Sequence, residues 1–384
     1  MTATTLTKSD LKRGRGLMWL TLAAAVSAAI AGAAIVSNRA ANTATEMNET
    51  MYPGLVAASA NAATIKIESP TVYVTLNKGA DGKWVVADRS NYPANPDGVR
   101  ALILSIAQLQ LIERRTGDIN RLGALDLTTG TSGTGHAVTI TGADGTVLAA
   151  VVAGKVQGRA AGNSLGTLFV RRAGEEQTWL ARGGIAIPAS VGATLDKTLF
   201  TIDPKRIKSA AFAPRGLAAY TLSRATPETP DFTLDNVPEG KEAQPAGVLQ
   251  TPATAIAGLT FDDVMKADAV DMKDATAATF TTFDGLTIKL TIVPGGPDSA
   301  FALFAVTADE TATPEVKAEA AAINARTGGW GYKLPAYVLT NLVPTLESLV
   351  QDKAKPAAPE GEAPTGDGAA PAPEAPPAPP VPPQ

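Results

Sequence analysis

The chain carries one histidine, His136, and no cysteine. Without cysteine there is no disulfide, no thiolate nucleophile, no thiolate metal ligand and no lipidated cysteine anchor. A Ser–His–acid triad would have to run through His136. That residue follows the glycine-rich stretch Gly130-Thr131-Ser132-Gly133-Thr134-Gly135 and opens an alternating apolar run. No Gly-x-Ser-x-Gly elbow accompanies it, and a histidine-based zinc site lacks the further ligands it needs. A histidine at a strand edge reads as exposed or capped. The glycine-rich stretch is not a phosphate loop, because it lacks the Gly-Lys-Ser/Thr ending and precedes a strand instead of a helix. Gly154-Lys155 fails the same test, since Val156 follows.

Acidic side chains crowd at Asp262, Asp263, Asp268, Asp271 and Asp274. A calcium loop needs carboxylates at alternate positions around a glycine turn, and this spacing does not supply them. They read as a solvated surface. Paired carboxylates for glycoside hydrolysis stay open, although no aromatic-rich groove goes with them. Lys155 and Arg159, with Arg171 and Arg172 on the strand that follows, form the most cationic region of the first half, a candidate contact for an anionic partner. The alternative is a hairpin connection with solvated charges. No metal or cofactor is expected.

The elements that must position these residues are mostly strands. Asp81-Gly82, Asp144-Gly145 and Asp284-Gly285 each sit between alternating apolar runs and predict hairpins over 71–86, 136–154 and 276–295, with both turn residues at positive φ. Further strands are expected at 168–171, 177–180, 207–212, 218–223 and 301–306. The amphipathic stretch 96–115, with Val99, Leu102, Ile103, Ile106, Leu109 and Ile112 on one face, predicts a helix. Asp97 at its start and Arg114 and Arg115 at its end suit the helix dipole. Weaker helices are expected at 253–265 and 314–325, and a last one over 335–350, interrupted by Pro344. Trp84, Trp179 and Trp330 are expected as core anchors.

This order repeats after about 140 residues. Ile65 and its strands resemble Ile207 and its own, and the hairpin at Asp144-Gly145 resembles that at Asp284-Gly285. The run IPASVGATLDKTLF (187–200) resembles LPAYVLTNLVPTLESL (334–349). The reading is an internal duplication of α+β units, 64–203 and 204–351, meeting at the Asp203-Pro204 turn. The length of 384 residues suits two domains. A net charge of −4 gives no footing for nucleic acid, and 45% hydrophobic residues are enough for a core built without disulfides.

What precedes and follows the body differs in kind. Residues 1–16 are short, polar and basic. Leu17 to Val36 is free of charge and includes Leu17, Trp19, Leu20, Leu22, Val26, Ile30, Ile35 and Val36. As a helix it would span about 30 Å, the thickness of a bilayer core. Lys12, Arg13 and Arg15 on its N-terminal side predict a cytoplasmic N-terminus, and Trp19 suits the membrane interface. A single-pass bacterial inner-membrane helix at 17–37 with an exported, periplasmic body is therefore expected. A cleaved signal peptide is the alternative, although its apolar region usually runs about 7–15 residues. Ala24, Ala28 and Gly32 recur at the spacing that lets membrane helices approach closely, or simply reflect alanine richness. Residues 38–63 read as a linker. Residues 352–384 hold eleven of the 28 prolines, too little apolar surface to fold, and are expected to be a disordered spacer or a ligand for another protein.

The segments MYPGLVAASANAATIKIES, DGKWVVADRSNYPANPDGVRALILSIAQLQLIERRT, RLGAL, LFVRRAGEEQTWLA and YKLPAYVLTNL together resemble bacterial proteins of the domain-of-unknown-function 4340 family. The landmarks are the Trp84 strand, Tyr92-Pro93 and the helix after it, Arg121-Leu122-Gly123 and Phe169-Val170-Arg171-Arg172. The resemblance runs from about Met51 to Val350, is strongest before residue 200 and weakest over 225–275. Its motifs are structural and carry no active site. It implies one N-terminal membrane helix, an exported body and, for some members, association with operons of gliding-type ABC transporters. The expected function is thus a non-enzymatic accessory or scaffold of an ABC-type transport or envelope complex. Its expected partners are the inner membrane and an ABC permease, its ATPase or another envelope protein. Two further readings are a periplasmic ligand-binding module with a cleft between the units and an envelope hydrolase using carboxylates.

Overall fold

The computed structural model describes residues 48–158, 166–296 and 299–353. The apolar run 17–36 with Lys12, Arg13 and Arg15, residues 38–47 of the expected linker, Arg159 and the tail from residue 354 lie outside the described residues. Residues 48–63 are not a free linker but fold onto the body, with Met51 and Leu55 buried. Among the described residues no helix is long and apolar enough to cross a membrane.

The chain forms a strand-rich α+β structure of antiparallel sheets with few helices. The first sheet contains β1 (Glu49–Thr50), β2 (Ala62–Glu68), β3 (Tyr73–Lys78), β4 (Trp84–Val86), β5 (Tyr92–Pro93), β6 (Gln110–Arg114), β7 (His136–Gly142), β8 (Val147–Val156), β9 (Thr167–Arg172) and β10 (Thr178–Arg182), with helices α1 (Leu55–Ala58) and α2 (Pro96–Ala107). Its spatial order is β1-β6-β10-β9-β8-β7-β2-β3-β4-β5. The second sheet is built from β11 (Ile207–Ala213), β12 (Tyr220–Ser223), β13 (Thr233–Leu234), β15 (Asp263–Lys266), β16 (Thr276–Thr282), β17 (Leu286–Gly296), β18 (Ser299–Ala308) and β19 (Trp330–Pro335), in the order β13-β12-β11-β16-β17-β18-β19-β15. A short pair, β14 (Lys241–Ala243) with β20 (Val350–Asp352), stands apart from both. Helices α3 (Ala246–Ala253), α4 (Pro314–Thr327) and α5 (Ala336–Leu342) accompany the second sheet.

The two orders coincide. Substituting β11 for β2, β12 for β3, β13 for β4, β15 for β6 and β16 to β19 for β7 to β10 converts one sheet into the other. The first sheet adds β5 and β1 at its edges, and the second adds α4 between β18 and β19. Alternation along the strands buries one face: Ile65 and Ile67 on β2, Val74 and Leu76 on β3, Phe212 on β11, Ile288 and Leu290 on β17. These side chains belong to one core that runs through both sheets. A smaller cluster of Leu122, Leu127, Ala137, Val152 and Phe169 covers the opposite face of the first sheet.

All three Asp-Gly hairpins form, but their turns differ from the expectation. Only the glycines take positive φ, at 77° for Gly82, 82° for Gly145 and 89° for Gly285. Gly82 N donates to Gly79 O and Gly145 N to Gly142 O, so each aspartate occupies the third position of an ordinary turn and the glycine after it a left-handed bulge. The Asp144 carboxylate accepts from Thr146 N at 3.0 Å and Asp81 from Lys83 N at 3.1 Å. Aspartate suits that position because it satisfies the amide two residues on.

The helix expected over 96–115 stops at Ala107, and Gln110–Arg114 is β6. Its start is well capped, with Asn95 Oδ1 accepting from Asp97 N and Gly98 N and with Pro96 in the first turn. Leu109 and Ile112 keep the helical spacing, but Leu109 and Leu111 alternate as in a half-buried strand, and pairing with β10 decides it. In the same way the helix expected at 253–265 lies earlier, at α3, and 263–266 is β15. The helix over 314–325 forms as α4. The last helix ends at Leu342, before Pro344, as the proline's restriction on the residue ahead of it requires. The three body tryptophans lie on strands but are half-buried at the margin of the core.

Gly247 on α3 is exposed, lies outside the positive-φ region and leaves open space where a Cβ would stand. Gly247→Ala is therefore expected to stabilise the protein by about 0.5 kcal/mol through the unfolded chain's lost freedom, measured as a higher urea midpoint with an unchanged slope.

Candidate functional site

The two sheets meet along a seam built from β5, the segment 190–200, β15 and β19. Residues after β10 turn back across the first unit: Asn95 N donates to Thr194 O and Asp196 N to Pro93 O, each at 2.8–2.9 Å, and Ala94 bridges Leu195. Leu195, Leu199 and Ile202 are buried by this return. The same segment presents its outer side to the second sheet.

Among the described residues three side chains make polar contacts across the seam. Arg89, in the turn after β4, donates from Nε and Nη2 to Asp263 Oδ1 and Oδ2 at 2.6 and 2.8 Å. This two-pronged pair is about 30% exposed on both sides, and the hydrogen bonds to Asp263 raise the Arg89 pKa. Lys197 Nζ donates to Phe261 O at 2.5 Å and Asp262 O at 2.9 Å and lies 4.4 Å from the centre of the Phe261 ring. Burial lowers the Lys197 pKa. A lysine with a lowered pKa can serve as a base or nucleophile, but here the ammonium donates to two carbonyls, which makes it a bolt. Arg326 on α4 donates to Leu199 O at 3.3 Å.

Aromatic rings fill the space beneath. Tyr92 of β5 meets Trp330 edge-on at 5.0 Å and lies 6.1 Å from Phe261 and 6.2 Å from Tyr332. Tyr332 in turn contacts Phe304, and Phe304 contacts Phe200. Edge-to-face pairs of this kind add to the stabilisation from burial. Burial pushes the Tyr92 hydroxyl up to about 12. Gly192 sets the closeness of approach: a Cβ there would stand 2.0 Å from Asp262 O. What is left open is a groove of about 640 Å³ lined by Arg89, Ser190, Lys197, Asp262 and Lys333, among others.

The sequence-predicted residues divide. Lys155 is exposed at the end of β8. Arg171 is buried, 8% exposed, and donates to Leu127 O, Glu175 O and Thr129 Oγ1, so it pins loops and is withdrawn from any partner. Arg172 points to the other face, donates to Met51 O at 3.0 Å and lies over Tyr52. Lys155, Arg171 and Arg172 therefore do not form one patch. Of the acidic run, Asp263 is spent on Arg89, Asp274 pairs with Arg215, and Asp271 caps Lys273 N. Among the described residues no group of three or more His, Asp or Glu side chains could hold a metal ion. No spacing in the sequence links Arg89 to Asp263, 174 positions away, so the seam was not legible there.

Removing the Arg89–Asp263 pair tests the seam's polar share. In a cycle of Arg89→Ala, Asp263→Ala and the double variant, the coupling is expected to be about 1 kcal/mol, as for a well-aligned but half-solvated pair. Urea unfolding monitored by tryptophan fluorescence measures it.

A family model described as "Domain of unknown function (DUF4340)" matches residues 84–279, a little over half of the chain. The matched range starts at β4 of the first sheet and ends in β16 of the second. No functionally curated protein and no solved structure matches the chain.

Proposed function

The chain belongs to the family described as Domain of unknown function (DUF4340), and from that premise we propose that it is a non-enzymatic, membrane-anchored scaffold or accessory subunit of an ABC-type transport or envelope complex. The observation that carries the reading is the seam. A periplasmic module that closes on a ligand needs two lobes free to move about a hinge. Here the lobes are bolted by Arg89–Asp263 and Lys197, packed through six aromatic rings and brought together at Gly192. Such a body transmits position; it does not open and shut. The matching strand orders support an origin by duplication, with each unit contributing one sheet to a rigid platform.

In this reading the charge-free run Leu17–Val36 anchors the protein in the bacterial inner membrane, with Lys12, Arg13 and Arg15 cytoplasmic and both sheets in the periplasm. The proline-rich tail acts as a spacer beyond the body. Crosslinking the full-length protein in its membrane, followed by mass spectrometry, is expected to recover an ABC permease or ATPase. Recovery of no transporter component, under conditions that capture a known complex, sinks the proposal. The ligand-binding alternative places its ligand in the groove lined by Arg89, Lys197, Asp262 and Lys333. It requires a thermal shift with one class of ligand that is lost in Lys333→Ala.

A further inference from the structure

His136 has no role in the seam or in the scaffold reading, yet its surroundings are those of a binding site. It opens β7 at the end of the first sheet, where the β2–β3 turn, the end of β8 and the start of β9 converge. A cavity of about 590 Å³ lies there, within the range of small-molecule sites. Its apolar wall comes from Val156, Leu168, Ile185, Ile187 and Pro188, and its polar groups are concentrated at Ser69, Thr71 and His136. Gly154, Gly166, Gly183 and Gly184 also line it and leave the backbone bare of side chains.

The outer wall is the strap from Gly183 to Ala189, which connects β10 to the seam. It is tied at few points: Gly183 N donates to Gly166 O, and Ala186 N to Ser105 Oγ at 3.0 Å. Ala186 and Pro188 of the strap border a second, apolar pocket of about 130 Å³, against Ile67, Leu76, Val99 and Leu102 beneath α2. Pro188 borders both spaces. The two cavities thus lie on either side of one thin strap, and the larger has an apolar wall with its polar groups gathered at one end.

At that end His136 Nδ1 is buried and has no hydrogen-bond partner among the described residues. An orphaned buried nitrogen is costly. A carboxylate or ester oxygen that reached the ring would supply the acceptor that an Nδ1 proton lacks. The Ser69 hydroxyl accepts from Val72 N and has its own proton left to donate.

We propose that this cavity is a binding site for an acyl chain, with the carboxyl or ester group at Ser69, Thr71 and His136 and the hydrocarbon against Leu168, Ile185 and Ile187. The site is independent of the scaffold reading. The chain belongs either to a free fatty acid or to a bilayer lipid.

The test uses full-length protein with phosphatidylcholine vesicles and two photoreactive probes. One is palmitic acid carrying a mid-chain diazirine, and the other is phosphatidylcholine carrying the same acyl chain. Trypsin cuts after Arg182 and Lys197, so the strap is released as a single peptide, Gly183 to Lys197. That peptide is expected to carry label that excess unlabelled palmitate removes. Label from the free acid alone identifies a fatty-acid site, and label from both probes identifies a site for lipid chains. Gly184→Leu adds a bulky side chain to the cavity lining at a position whose Cβ meets nothing within 4 Å, and is expected to cut strap labelling at least fivefold with an unchanged unfolding transition. Val156→Asp, at a position 69% exposed, tests the apolar wall without disturbing the core and is expected to do the same. Absence of strap label in both arms, or label that both variants leave intact, overturns the proposal.

Discussion

Gly192→Ala is expected to lower the stability of the two-sheet body by about 3 kcal/mol, the upper part of the usual cost of overpacking. The added methyl carbon would stand 2.0 Å from Asp262 O, a backbone atom fixed by the neighbouring strand β15. A flexible side chain could swing aside, but a strand can yield only by separating from the segment 190–196. That movement pulls Lys197 off the Phe261 and Asp262 carbonyls and lengthens the Arg89–Asp263 pair. The measurement is urea unfolding followed by fluorescence, since Trp330 touches Tyr92 across the seam and reports its opening. Gly247→Ala, the same chemical change in open space, is the control. A Gly192→Ala protein as stable as the parent would mean that the two sheets are not locked together, and the scaffold reading would lose its main support.

Leu20→Arg combined with Ile30→Arg is expected to move the protein from the membrane pellet to the soluble fraction after carbonate extraction. Each arginine placed well inside an apolar span costs about 2.5–3.5 kcal/mol on insertion scales, so the pair costs about 5 kcal/mol after allowance for Leu20 lying near one end. Leu20→Ile with Ile30→Leu keeps the hydrophobicity and is expected to leave the protein in the pellet. Persistence of the double-arginine variant in the membrane would remove the anchor from the proposal.

Local patterns carried well from sequence to structure, and long-range ones did not. The three Asp-Gly hairpins are legible because turn chemistry acts within four residues, but the turn type is not, since only the glycine of each pair takes positive φ. The glycine takes the left-handed conformation; the Asp81 and Asp144 carboxylates accept from the amide two residues on, whereas at the third turn Thr282 Oγ1 accepts from Leu286 N and Asp284 pairs with Arg206. The start of α2 was marked by Asn95 and Pro96. Its end was not, because Leu109 and Ile112 continue the helix face while Leu109 and Leu111 alternate as in a half-buried strand, and only pairing with β10 distinguishes them. Asp263 read as one acid in a solvated run. Its partner Arg89 is set by the packing of one sheet against another, which no single-sequence periodicity encodes. Arg171 likewise read as a surface cation, but its strand carries it into the smaller core, where Leu127 O and Glu175 O need a donor. The strand order common to both sheets had its trace in the repeat of hairpin, strand and Ile-Pro or Leu-Pro segments, although β6 and β15 had been hidden inside expected helices.

The place of β10 governs when the first sheet can be completed. It lies between β9, its neighbour in sequence, and β6, more than 60 residues earlier, and β19 stands between β18 and β15 in the same way. Until its last strand arrives, each sheet has a gap, and β6 is held on one side only, by the two residues of β1. A chain emerging from N- to C-terminus therefore carries two open strand edges in turn, each a template for wrong pairing. Both are sealed by late, non-local contacts of the kind that slow folding. Completion of each sheet is an insertion, and the interval before it is when the chain most needs protection from aggregation.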